Sequence, residues 1–365
     1  MALRFLLSIL LLALLLSCSR SLHPSGGPAN LVIYPAPPDT TRIQFLAHFT
    51  KSVDVGTQRG WFKRLVLGSE DVKTIGKPYG VAISKGKIYI CDTFKKGFDI
   101  IDLNKNSFTE FIPTGLGALK VPLNCFVDEQ GNLYVADADR KQIVVFNEKG
   151  EYRSCFGEKD DFKPTDVFVK DGKIWVPNMT GHQVNVYSQD SSHRLLYRFP
   201  EIQPDSVGHL YSPTNIFVSP EKVYVTDFGD FKVKVYSHDG KIHDTIGTFG
   251  ESIGQFARPK GVAADRDGNV YVVDAGFENT QIFNKDGKLL MFFGGSYKGP
   301  GDMWLPAKVV IDYDNLPYFQ KYVDPAFHLK YVILVTNQFG PDKLNIYGYV
   351  EPMTPALKEQ MKTKK

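Results

Sequence analysis

Long apolar runs are nearly absent from this 365-residue chain. The one candidate, Phe5 to Leu16 broken by Ser8, is about twelve residues long, too short to cross a bilayer comfortably. Cysteine is scarce, with four in all, and no CxxCH string occurs, which excludes a covalently held c-type haem. Neither sign of charge dominates: 43 Lys and Arg stand against 40 Asp and Glu, a net +3 at pH 7. So even a balance leaves no concentrated basic face for nucleic acid. The metalloprotease string HExxH is also missing.

What the chain does have is a repeat. A proline, a short apolar run, an Asp or Asn, and another apolar run recur six times. The prolines are Pro78, Pro122, Pro164, Pro213, Pro259 and Pro306, spaced by 44, 42, 49, 46 and 47 residues. The matching polar positions are Asp92, Asp137, Asn178, Asp227, Asp274 and Asn337. Periods of this length built from short strands predict an all-β, six-bladed β-propeller with four antiparallel strands per blade. Hairpin signals fall between strands, as in "EQGN" at Glu129–Asn132, "EKGE" at Glu148–Glu151 and "HDGK" at His238–Lys241. The repeated Asp or Asn opens the loop after each second strand. Six equivalent copies argue for turn stabilisation, since a catalytic residue is needed once.

The sixth repeat ends after its third strand, while "RIQFLAHF" (Arg42 to Phe49) is left over near the start. That segment is expected to supply the outer strand of blade six, removing the open edges of the ring. The alternative is a separate N-terminal element beneath a ring closed by other means. Cys91, Cys125 and Cys155 lie in expected strands and read as buried reduced thiols.

Arg4, the apolar run and "LLSC" ending at Cys18 resemble a bacterial lipobox, in which the cysteine is acylated and becomes the first mature residue. This divides the chain into a lipoprotein signal (1–17), a Pro/Gly/Ser-rich tether (18–41), the propeller (42–351) and a basic flexible tail (352–365). The alternative is an ordinary signal peptide that leaves a soluble secreted protein. Ser19 after the cysteine points to the outer membrane, facing the periplasm.

The strings "PYGVA" at Pro78–Ala82 and "PKGVA" at Pro259–Ala263, with "GNLYVAD" at Gly131–Asp137 and "GNVYVVD" at Gly268–Asp274, resemble the NHL repeat. The resemblance is sharpest in blades two and five and degraded in three and six. With the lipobox, the whole is similar to bacterial six-bladed NHL-propeller lipoproteins, for which the resemblance implies no defined activity. Peptide-amidating lyases of similar architecture hold a metal with histidines at the channel. Here only His182 and His209 are expected at the mouth, so a three-histidine centre lacks its third member.

Two positions after each proline the residues are Gly80, Asn124, Asp166, Asn215, Gly261 and Lys308. Ring symmetry puts them on one rung of the channel. Asn124, Asp166 and Asn215 come from consecutive blades and are hard oxygen donors suited to calcium or another divalent cation, with Lys308, His182 and His209 nearby. The alternative is a wet polar channel with those groups bonded to backbone and solvent. Blade six also carries an insertion, Tyr313–Tyr331, rich in aromatics. Tyr318, Phe319, Tyr322 and Phe327 are candidate anchors for a protein partner; the alternative is that the loop plugs the channel floor. The expected role is an envelope module that binds a protein or small ligand while anchored in the membrane by its lipid. The alternative is a metal-assisted hydrolase or lyase working at the channel mouth.

Overall fold

Six inner strands surround a central axis: Pro78–Ser84, Pro122–Val127, Phe168–Lys170, Pro213–Val218, Pro259–Ala264 and Pro306–Asp312. In this computed structural model, residues 31–56, 71–158, 160–355 and 357 are described. Each of the first five inner strands begins a sheet of four antiparallel strands in chain order, and the sixth begins a sheet of five. The chain is therefore a six-bladed β-propeller, as the repeat predicts.

Apolar residues on the blade faces interlock with the next blade. Tyr134, Ile143, Phe162 and Val176 join blades two and three, and Val225, Tyr236, Trp175 and Phe199 join three and four. The hairpin glycines Gly131, Gly150 and Gly240 take φ between +81° and +85°, where a side chain would be strained. Cys91 and Cys125 are buried and all three described cysteines are free thiols.

The repeated Asp and Asn act as staples. Asp92 accepts hydrogen bonds from the N–H groups of Gly76 (2.7 Å) and Lys77 (3.2 Å) ahead of the inner strand, and of Phe94 (3.0 Å) and Lys95 (3.1 Å) after it. Asp274 holds Ala257, Arg258, Gly276 and Phe277 in the same way. Burial pushes the Asp92 carboxyl up, but the donating amides of Lys77, Gly76 and Lys95 outweigh it and hold the group below its ordinary value. Each repeat proline is paired across the sheet with the Asp or Asn of its own repeat.

Ring closure follows the expected route. Ile43–Phe49 pairs antiparallel with Leu344–Pro352, from Ile43 opposite Tyr349 to Phe49 opposite Leu344. The sheet then extends one strand further than the sequence suggests: Ile33–Tyr34 pairs with Ile43–Gln44, so part of the expected tether belongs to blade six. Leu46 and Phe49 of the closing strand are buried with Val81, Ile88 and Ile101 of blade one, which seals the ring through its core as well as its edge. Cys18 and the signal, together with most of the basic tail, lie outside the described residues.

Candidate functional site

The channel is divided by a buried rung. Gly80 and Gly261 sit where the inner strands approach most closely: a Cβ on Gly80 would fall 2.5 Å from Asn124 Cα, and one on Gly261 would fall 2.6 Å from the Val309 nitrogen. Glycine at these two positions is dictated by space. The other four positions of the rung carry the side chains that the sequence singled out, and all are buried.

These four do not form a shared oxygen cage. Lys308 of blade six reaches across the axis and donates from Nζ to Asp166 Oδ2 of blade three. The same oxygen accepts from the Ile216 N–H at 3.1 Å and Asn215 Nδ2 at 3.3 Å, while Asp166 Oδ1 accepts from the Val167 N–H at 2.9 Å. Asn124 faces another way, donating from Nδ2 to the Thr165 carbonyl at 2.7 Å. Two side-chain oxygens, Asn124 Oδ1 and Asn215 Oδ1, are buried without a partner. The ammonium of Lys308 thus provides the positive charge that faces Asp166. Among the described residues, no three His, Cys, Asp or Glu side chains converge as metal ligands do.

Above the rung lies the mouth. His182 and His209 do meet there, with ring centroids 6.0 Å apart. His182 Nδ1 lies 2.8 Å from the Tyr211 carbonyl, and His209 packs edge-on against Tyr211. Tyr79, Lys77, Arg258 and Lys260 come from the ends of the inner strands of blades one and five. Lys260 Nζ stands 5.2 Å from the centre of the Tyr79 ring. Burial, and secondarily the negative charge of Asp166, pushes the Tyr79 hydroxyl up to about 12, so it is neutral at physiological pH.

Below the rung is an apolar cavity of about 190 Å³. Phe126, Phe168 and Phe217, each four residues after a repeat proline, stand in a row along its wall, with centroids 4.7 and 5.3 Å apart. Val127, Val262, Val310 and Ile311 are among the apolar residues that also line it, and Lys308 and Asp312 are its charged lining residues. The sequence reading missed this feature. Its signal was there: three phenylalanines at one position of the repeat.

The blade-six insertion is neither a free contact loop nor a channel plug. Phe319 is fully buried in the core shared by blades six and one, so it offers nothing to a partner. Tyr318 and Phe327 pack against the same core, and the Tyr318 hydroxyl donates to Asn104 Oδ1 in blade one. Asn315 Oδ1 accepts from the Gly86 N–H at 2.7 Å, and Gln44 of the closing strand donates to the Tyr322 carbonyl at 3.0 Å. Only Tyr322, at 36% exposure, keeps an exposed ring. The aromatics that looked like surplus surface are used to clasp the last blade to the first.

Neither a family model nor any curated protein sequence matches the chain. Solved structures do match it by shape. A protein of unknown function from Bacteroides thetaiotaomicron is similar at 13% identity and TM-score 0.57, covering 85% of this chain and 76% of that one. A gluconolactonase from Xanthomonas campestris is similar at 15% identity and TM-score 0.54, over 85% and 90% of the two chains. Virginiamycin B lyase from Staphylococcus aureus is similar at 14% identity and TM-score 0.51, over 75% and 96%. At such identities the likeness establishes the six-bladed propeller fold alone.

Proposed function

We propose that this chain is a binding module of the bacterial cell envelope, held to the membrane by a lipid on Cys18 and lacking a hydrolytic metal centre. The lipobox-like start and the NHL-like repeats support the location and the grouping with propeller lipoproteins. The observation that carries the binding reading is the Lys308–Asp166 pair. A hydrolase or lyase at the channel mouth needs its strongest oxygen donor free to meet a cation, and here that donor is engaged by an ammonium and two backbone amides. What the pair leaves available is the apolar cavity beneath it. Its volume suits a single ring or a short acyl segment, in the range of cavities that take up benzene.

The adjacent imidazoles of His182 and His209 support the competing catalytic reading, since either could exchange a proton at the mouth. Metal analysis of purified, dialysed protein separates the two. No bound metal is expected, together with saturable uptake of a small aromatic probe that is weakened in Phe168→Asp. Stoichiometric divalent metal that disappears in Asp166→Ala would overturn the binding reading and call for a screen of lactones and esters. Replacing Cys18 with Ala should release the protein from membranes on fractionation; continued association would refute the anchor.

A further inference from the structure

We propose that the upper mouth of the channel is a second binding site, built for a multiply charged oxyanion (a phosphate or polycarboxylate group) held among Lys77, Arg258 and Lys260.

Three observations carry it. The first is composition by position. The residue after the repeat proline is Tyr79, Leu123, Thr165, Thr214 and Ala307 in the other blades; only blade five places a charge there, Lys260. The second is the absence of a counter-charge. None of the ion pairs among the described residues includes Lys77, Arg258 or Lys260. Lys260 is half-buried and rests on the Tyr79 ring, and Lys77 Nζ stands 5.5 Å from the centre of the Phe339 ring. Burial, reinforced by the like charges of Arg258 and Lys77, lowers the Lys260 ammonium to about 8. The third is rigidity. The carboxylates of Asp92 and Asp274 bind the backbone N–H of Lys77 (3.2 Å) and of Arg258 (3.1 Å), so two of the three cations spring from stapled backbone.

A half-buried ammonium with the like charges of Arg258 and Lys77 acting on it is unfavourable unless something opposes it. Lys308 shows the protein's own solution one rung below, where Asp166 neutralises it. Among the described residues no carboxylate pairs with Lys260, and the planar guanidinium of Arg258 suits bidentate contact with a carboxylate or phosphoryl group. An oxyanion supplied from solution fills the same role as Asp166. The site lies on the other side of the Lys308–Asp166 pair from the apolar cavity, so either can fail without the other.

The test is titration calorimetry and thermal shift on the full chain, in a low-salt zwitterionic buffer near pH 7, with inorganic phosphate and with citrate. Sodium chloride at matched ionic strength is the control. One of the two anions is expected to bind saturably and raise Tm, with Kd at least 10-fold weaker in Lys260→Met and several-fold weaker in Arg258→Gln. Phosphate without citrate would assign a phosphoryl ligand, and citrate without phosphate a polycarboxylate. Shifts no larger than those with chloride, or an unchanged Kd in both variants, would overturn the proposal. Arg258 is exposed, so its variant remains informative even if Lys260→Met folds poorly.

Discussion

Two lysines at the centre of the ring, Lys308 on blade six and Lys260 on blade five, come from adjacent inner strands and meet opposite fates. Lys308 is buried and faces a buried carboxylate that also accepts two backbone amides. Lys260 is half-buried, faces an aromatic ring, and makes no ion pair among the described residues. A buried charge with its partner built in belongs to the architecture. One without a partner costs stability and persists where something outside the chain makes use of it.

The strongest way to break this comparison is to remove the partner. Asp166→Ala leaves the Lys308 ammonium buried and unopposed and is expected to cost about 3–5 kcal/mol in urea unfolding. Lys308→Met leaves Asp166 its two amide donors and should cost less, on the order of 1–2 kcal/mol. The double variant should recover part of the loss. A Lys308→Met variant less stable than Asp166→Ala would show that the pair is not what holds the rung.

The same contrast between engaged and free groups extends to the blade-six insertion. Phe319→Ala empties a site in the core between the first and last blades and should cost about 3 kcal/mol or more. A Phe319→Ala protein that melts like the parent would refute the clasp.

Lys260 gives a smaller effect of opposite sign. Its folded-state value of about 8 lies below the ordinary 10.5, so the folded chain gives up this proton first. The group therefore lowers stability most below pH 8, the loss is relieved between about pH 8 and 10.5, and no further change follows above that. Lys260→Met should raise stability near pH 7 by about 1 kcal/mol and remove this part of the alkaline gain. Urea midpoints at pH 7, 8.5 and 10 test both statements. The smallest effect is expected from Tyr322→Ser: an exposed ring, with the Lys321 ammonium 4.9 Å from its centre, should change stability by less than about 0.5 kcal/mol.

Most of the architecture was legible in the sequence because it is written six times. The repeat proline and the Asp or Asn at the next loop are local requirements, so five of the six copies show them 14 or 15 residues apart, and only blade six, with its insertion, stretches to 31. Ring closure was legible as arithmetic: one blade was a strand short and one strand was spare. The site was legible only in part. Residue types on the rung followed from the repeat, but the partner each side chain takes did not. Asp166 meets Lys308 across 142 positions of chain, and nothing local to either tells which of several oxygens the ammonium will choose. The insertion failed for a related reason. A run such as Tyr318, Phe319 and Tyr322 looks like surface until the blade-one hairpin at Gly86 is brought beneath it. Lys77, Arg258 and Lys260 were passed over because the chain is nearly neutral as a whole, and an average hides three charges on one rim.

The closing strand also has a consequence in time. Ile43–Phe49 leaves the ribosome long before its partner, Leu344–Pro352. Blades one to five can assemble as they emerge, but the strand that seals the ring must wait with an unpaired edge until Leu344–Pro352 has emerged. Closure of the ring is thereby tied to synthesis of its last strand. A chain truncated anywhere before Leu344 keeps that edge open, exposed to proteases and to pairing with other chains.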